Sequence, residues 1–429
     1  MAPAIGGDGV LMALIALLIF LFAYALVIFE ELIELKKSKP VLLAAGLIWF
    51  LVGWSMQAAG KSHSQEVVAT LAAYGELLLF LLVSFTYVNV LEERGAFNAL
   101  QLRLSALGLS YRQLFWLLGL GTFILSIVLA NMTTALVMGS VALGLGRNNA
   151  KFLTLACINI VVASNAGGAF CPFGDVTSLM LWQAGILPFF AFFKLFIPAV
   201  LTWLIPAVVM TVAIPFGVPS AVKANAKMKP YAWAIVGLSV VTVFLSAWGN
   251  VALGLPPVMG MLLGLGLLQI LVFYMQYQAK RRSNQDLVLN SFTQMQRVEW
   301  DTLLFFLGVM LCLSGLQTFG WLEATNQALY GQLGPTTANI LVGPLSAVLD
   351  NVPLVYGILN MYPQMNQHQW LLLALAAGTG GSMLSIGSSA GIALMGLAGK
   401  DYTFFKHLTW LPAIALGYVA GIAAHLMLN

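Results

Sequence analysis

Charge is what this sequence has least of. Only 8% of its 429 residues are Asp, Glu, Lys or Arg, against roughly a quarter in soluble domains. That shortage excludes a water-soluble globular enzyme, and a net charge of +4 spread along the chain gives no patch for nucleic acid. Cysteine is scarce too: Cys157, Cys171 and Cys312 have no metal-ligand spacing and read as small apolar fillers, which excludes a thiolate centre and a disulfide framework. The four histidines, His63, His368, His407 and His425, fall near expected span ends and are given no central role. The longest polar stretch, 278–300, reads as a loop and leaves no room for a separate soluble domain. What is abundant is apolar: 60% of residues are hydrophobic and the mean hydropathy is +0.93. Apolar runs of about twenty residues, the length that crosses a bilayer, recur from end to end. The expectation is an all-α polytopic membrane protein with residues 1–429 forming one integral membrane unit.

Two polar, glycine-broken patches interrupt those runs and match each other. Gly167-Gly168 with Gly174-Asp175 aligns without gaps onto Gly380-Gly381 with Gly387-Ser388. Corresponding breaks in two halves of a membrane protein are the strongest sequence pointer to a transport site. Two further matches keep the same order. Residues 76–82 resemble 301–307, and Asn131-Met132-Thr133-Thr134 parallels Asn351-Val352-Pro353-Leu354. The spacing predicts two structural repeats, 76–215 and 301–427. The first would hold a hairpin over about 112–146 and a broken helix over about 152–184; the second, a hairpin over about 334–362 and a broken helix over about 369–399.

The cations set the orientation. Lys36, Lys37 and Lys39, then Arg94, Arg103 and Arg112, then Arg147 and Lys151 fall in three groups. Lys223, Lys227 and Lys229, then Lys280, Arg281, Arg282 and Arg297, then Lys400 and Lys406 make three more. With a periplasmic N-terminus and both hairpins re-entrant, all lie on the cytoplasmic side, leaving only Lys61 and Lys194. The same topology makes the repeats inverted, the plan of many secondary transporters.

Asp175 and Asp350 are the acids set deepest in apolar sequence. A charge there costs roughly 2.5–3.5 kcal/mol on insertion scales, so function is the default explanation. Asp350 stands at a hairpin tip beside Asn351. Asp175 can cap the helix that restarts after Gly174, face a cavity, or do both. Around them gather oxygen donors: Asn131, Thr133, Thr134, Asn165 and Thr177 in the first half, Ser346, Asn351, Ser385 and Ser388 in the second. With no His or thiolate among them, the set suits an alkali or alkaline-earth cation. Glu76, partway into its span, reads equally as a proton relay or a surface residue, and Asp301, its repeat partner, as an interfacial acid.

The stretch from Ser164-Asn165 through Gly167-Gly168 to Gly174-Asp175-Val176-Thr177 resembles the signature of NhaD-type sodium/proton antiporters, of the ion transporter superfamily. Asn131-Met132-Thr133-Thr134, Asp350-Asn351-Val352-Pro353 and Gly380-Gly381-Ser382-Met383 fit the same pattern, and the similarity covers essentially the whole chain. The resemblance implies exchange of cytoplasmic Na⁺ or Li⁺ for external H⁺ across a bacterial inner membrane, with no cofactor. It also implies a homodimer and elevator-type alternating access. Family roles carry over onto Asn131, Thr133, Asn165, Asp175, Thr177, Ser346, Asp350, Asn351, Ser385 and Ser388, with Glu76 as a further proton-coupling candidate beside Asp175 and Asp350. One departure stands out: the family pattern has Asp before the first hairpin Asn, and here that residue is Ala130.

The expected mechanism is competition between cation and proton for the carboxylates at the breaks. Three alternatives remain open at this level. A sodium-coupled symporter of an organic anion would share the superfamily, although two acids at the breaks would repel its substrate. An intramembrane aspartyl protease also needs two membrane aspartates, but not a hairpin tip or an extended repeat. A passive channel would differ in turnover.

Overall fold

A computed structural model describes residues 7–58, 64–146, 149–219, 228–282 and 285–429. Lys61, His63, Arg147, Lys223 and Lys227, used above in the charge and histidine arguments, lie outside these. Among the described residues the chain is all helical, with no strand. In chain order the principal helices are α1 (Gly7–Ile28), α2 (Ser38–Ala58), α3 (Ser64–Glu93), α4 (Ala96–Ala106), α5 (Tyr111–Leu125) and α6 (Asn131–Gly146). Then come α7 (Ala150–Ala169), α8 (Val176–Gln183), α9 (Phe196–Thr211), α10 (Ala232–Leu253) and α11 (Pro257–Arg282). The chain closes with α12 (Trp300–Thr318), α13 (Pro335–Val348), α14 (Asn351–Met361), α15 (Gln367–Gly380), α16 (Ser389–Ala398) and α17 (Leu411–Leu428). Nine candidate spans among the described residues are long and apolar enough to cross a membrane. The protein is a polytopic membrane protein.

The helices divide into two compact units. The first comprises Met1–Leu79, Glu299–Ala338 and Val352–Met365. Its centre is the α2–α12 pair, where Gly308 and Gly315 of α12 lie against Val41 and Ile48 of α2. Both sets are spaced by seven residues, so one face of each helix meets the other and small residues let the backbones approach. Polar ties fix the register. Ser38 donates to Asp301 at 2.5 Å and the Trp49 indole to the Leu311 carbonyl at 2.9 Å. Thr70 of α3 donates to Ser314 at 2.8 Å and Tyr74 to the Leu303 carbonyl at 3.1 Å. Glu76 belongs to this unit and is half-buried.

The second unit comprises Phe80–Val298, Asn339–Asn351 and Asn366–Asn429. Its centre is α7, which beyond its exposed first residues is enclosed by α5, α6, α9 and α15. A helix with no lipid face can carry polar residues, provided that protein groups satisfy them. Asn159 shows how: it donates to the Phe115 carbonyl at 2.8 Å and accepts from the Trp203 indole at 2.8 Å. Two close helix pairs complete the unit. Gly260 and Gly264 of α11 seat Ser246 and Thr242 of α10, and Gly417 and Gly421 of α17 seat Thr202, Pro198 and Pro206 of α9. Both glycine pairs have the four-residue spacing of close membrane-helix contacts.

Residues 285–299, part of the polar stretch expected as a loop, gather around a buried cation. Arg94, wholly enclosed, donates to the carbonyls of Asp286 at 2.6 Å and Val288 at 3.0 Å. Short helical turns form over Gln285–Leu287 and Ser291–Gln296. Glu93 pairs with Lys229 at 3.1 Å and with Arg297 at 3.6 Å.

Candidate functional site

Two helix tips, each with the chain just before it, and two interrupted helices build the site within the second unit, and the glycines explain their shape. After α7 the chain leaves helical geometry at Phe170 and resumes it at Val176; after α15 it leaves at Leu384 and resumes at Ser389. Gly167 and Gly174 press against the carbonyls of Phe123 and Ser126, just before the α5–α6 tip. Gly380 and Gly387 press against Gly343 and Ala347, just before the α13–α14 tip. Within the breaks, Gly168 meets the Gly174 carbonyl and Gly381 the Gly387 carbonyl, where a Cβ would come within 2.7 and 2.6 Å. Side chains at these positions would overlap backbone, so glycine is required for chain to pass chain. The two tips also hold the breaks by the same bond. Ser126 donates to the Ser164 carbonyl at 2.6 Å, and Ser346 to the Ala377 carbonyl at 2.9 Å.

Asp175 stands where these parts converge. It is 2% exposed and occupies the N-cap position of α8 in extended backbone. Thr177 donates to its Oδ2 at 2.6 Å. Asn131, first residue of α6, donates to Oδ1 at 3.4 Å, and Asn351, first residue of α14, donates to Oδ2 at 3.3 Å and to Oδ1 at 3.4 Å. Two tips distant in sequence therefore place an amide on one carboxylate. The network continues as Asn131 donates to Asn165 Oδ1 at 3.0 Å and Asn165 to Ser388 Oγ at 3.0 Å. Asp350 lies within electrostatic reach of Asp175.

Of the sequence-derived candidates, Asn131, Asn165, Asp175, Thr177, Asn351 and Ser388 share this one network. Thr133 is buried in the first turn of α6. Thr134 closes the first tip, donating to the Leu129 carbonyl at 3.2 Å. Ser385 is buried in the second break with its hydroxyl oxygen unpartnered. Glu76 sits in the other unit.

Three residues escaped the sequence reading. Ser126 stands five residues before Asn131, as Ser346 stands five before Asn351, and aligning the tips by their Asn would have exposed it. Gly378 matches Asn165 in the repeat and presents only hydrogen to Asp175; a Cβ there would lie 3.0 Å from Oδ2. His407, expected at a span end away from the breaks, instead reaches the second break, its Nε2 lying 2.9 Å from the Ser382 carbonyl. Its position in sequence hid this because the chain folds back after α16.

Chemically, the site offers carboxylate, amide and hydroxyl oxygens in a buried, polar cluster. Among the described residues no group of three or more His, Cys, Asp or Glu is placed to hold a metal ion. Oxygen donors of this kind suit a hard cation, and a carboxylate among them can take a proton in its place.

A family model described as Citrate transporter matches residues 24–378. The chain is 44% identical to the Na⁺/H⁺ antiporter NhaD of Vibrio cholerae, over 96% of this chain and 91% of that protein. It is also 44% identical to the Na⁺/H⁺ antiporter NhaD of Halomonas elongata, over 97% and 88%. A plant relative, sodium/proton antiporter 1 of Arabidopsis thaliana, is 34% identical over 96% of this chain and 72% of its own length.

Proposed function

The chain belongs to the family of the Na⁺/H⁺ antiporters NhaD, and we propose that it exchanges Na⁺ or Li⁺ for H⁺ at the Asp175 network. The observation that carries this reading is one buried carboxylate held by amides from both helix tips, with Asp350 nearby. An amide presents N–H on one side and C=O on the other. Turning the side chains of Asn131 and Asn351 would replace donors by oxygens facing Asp175, which a cation requires and a carboxylate alone does not. Na⁺ bound there displaces the proton, and the proton expels Na⁺. The protein is a transporter and not an enzyme, so the protease alternative falls.

Asn131, Thr133, Thr134, Asn165, Thr177, Ser346, Asn351, Ser385 and Ser388 supply the cation's neutral oxygens; Asp175 and Asp350 supply its charge. Proton coupling uses both acids, with Glu76 as a further relay. The helix pairs α5–α6 and α13–α14 are re-entrant hairpins, and the halves around them are inverted repeats. What supports this is the matched set of glycine and serine contacts at both tips. Access alternates by an elevator-type movement of the site in a homodimer of the bacterial inner membrane, N-terminus in the periplasm. An organic-anion symporter is favoured only by the description of the family model. The buried acid at the site opposes it.

The deciding measurement is internal pH in proteoliposomes on adding Na⁺, Li⁺ or K⁺. The wild type should move protons with Na⁺ or Li⁺, and folded Asp350→Asn should not. Full Na⁺-dependent proton movement by that variant would sink the assignment.

A further inference from the structure

The two breaks solve the same problem differently. Each exposes a carbonyl at its turn, Ala169 in the first and Ser382 in the second, which correspond in the repeat. In the first break the satisfaction is local: Ser178, in the helix that follows, donates to the Ala169 carbonyl at 3.1 Å. The residue matching Ser178 is Gly391, whose missing side chain leaves room for the Ser385 carbonyl. The second break therefore has no donor of its own at that place. His407 supplies it from outside the helix, Nε2 standing 2.9 Å from the Ser382 oxygen.

The ring is oriented in turn. A carbonyl only accepts, so Nε2 carries the hydrogen. His407 is wholly buried, outside the candidate spans, and burial pushes its pKa down to about 4, which leaves Nδ1 bare. The Tyr402 hydroxyl, 2.7 Å away and itself fully buried, donates to Nδ1. The segment carrying both residues also grips α7, since Thr154 donates to the Asp401 carbonyl at 2.6 Å. A strap between α16 and α17 is thus fastened to both interrupted helices.

We propose that His407, oriented by Tyr402, is a positioning residue for cation exchange, fixing the second break so that Ser385 and Ser388 stay in register with the Asp175 network. This rests on the exchange reading above. His407 touches no transported ion; it acts through the Ser382 carbonyl and the turn that follows. An unmet buried carbonyl is expensive enough to reshape a short turn, so the effect should fall on cation affinity before rate.

The test compares His407→Leu, His407→Gln and Tyr402→Phe with wild type in proteoliposomes, reading half-saturating Na⁺ and maximal rate, with hydrogen exchange at 381–388. His407→Leu should raise half-saturating Na⁺ about tenfold or more with a smaller change in rate, and speed hydrogen exchange in the break. The Gln amide can donate to the same carbonyl, so His407→Gln should recover most of the affinity. Tyr402→Phe should fall between. Wild-type affinity in folded His407→Leu, or equal loss in the Leu and Gln variants, overturns the proposal. Should the Leu variant fail to fold, wild-type values in Tyr402→Phe together with unrescued loss in His407→Gln overturn it equally. A wild type that moves no protons with Na⁺ would instead overturn the exchange reading, and this one with it.

Discussion

Gly378→Ala should damage cation exchange, while Gly396→Ala, eighteen residues further along the same interrupted helix, should not. A methyl group at 378 would lie 3.0 Å from Asp175 Oδ2 and 3.2 Å from Ala169 Cβ. Ordinary contact begins a few tenths of an ångström further out, so either the carboxylate or α7 must shift. Overpacking of this kind costs about 1–3 kcal/mol. If the carboxylate gives way, its bonds to Thr177 and Asn351 lengthen together, because both use Oδ2. Carried into cation affinity at about 1.4 kcal/mol per factor of ten, the cost raises half-saturating Na⁺ by roughly 5- to 150-fold. At Gly396 a Cβ would meet nothing within 4 Å, and replacing an exposed helix glycine by alanine gains up to about 1 kcal/mol. Sodium-driven alkalinisation in everted vesicles gives the affinity, and melting in detergent gives the stability. A folded Gly378→Ala protein with wild-type affinity would refute the view that Asp175 is the cation's carboxylate. Equal effects at 378 and 396 would refute the packing argument itself.

Ser126→Ala and Ser346→Ala each remove a buried hydrogen bond to a helix carbonyl, so each should lower stability by about 0.5–1.5 kcal/mol, read as similar drops in melting temperature. Inequality by more than twofold would deny the two tips equivalent duties. His407 has its folded pKa depressed from 6.5 to about 4, so the unfolded chain binds the extra proton between those values. Its contribution is complete above about pH 6.5 and is lost as pH falls toward 4, by about 3 kcal/mol. Denaturation from pH 7 to 4 should show that slope in the wild type and a flatter one in His407→Gln. Ala130→Asp adds an acid where the first tip has a methyl and the second has Asp350; it should raise the number of protons moved per cation, measured from reversal potentials.

Helix positions were legible because apolar runs and their glycine interruptions are local signals. The burial of α7 was not, since a helix sheathed by protein and one facing lipid have much the same composition. The candidate site was legible as a list of residue types at matched breaks, and Asn131, Asp175 and Asn351 do meet. Their division of labour was hidden. Nothing in the sequence says that both tip amides turn to one acid, or that Ser346 spends its proton on the Ala377 carbonyl. Long-range pairings such as Asn165 with Ser388 depend on how two chain segments pass each other, and no window of sequence contains both. His407 was misjudged for the same reason, being distant from the break in sequence and adjacent to it in space.

A matched frame here holds unmatched chemistry. If both halves carried the first half's residues, an acid would stand at 388 beside Asn165, and an amide at 378, where even a Cβ lies 3.0 Å from Asp175 Oδ2. The amide at 378 would crowd the Asp175 carboxylate, and the acid at 388 would bring a second charge into the same network. The sequence has Ser388 and Gly378 instead, so Asn165 reaches Ser388 while Asp175 has an open flank at Gly378. The glycines and serines that shape the backbone are repeated in each half; the groups that carry charge are not. Shared backbone contacts let both breaks keep their shape under one set of packing forces. On the proposed reading, cation and proton compete for Asp175 with Asp350 within electrostatic reach, and that competition couples their movement.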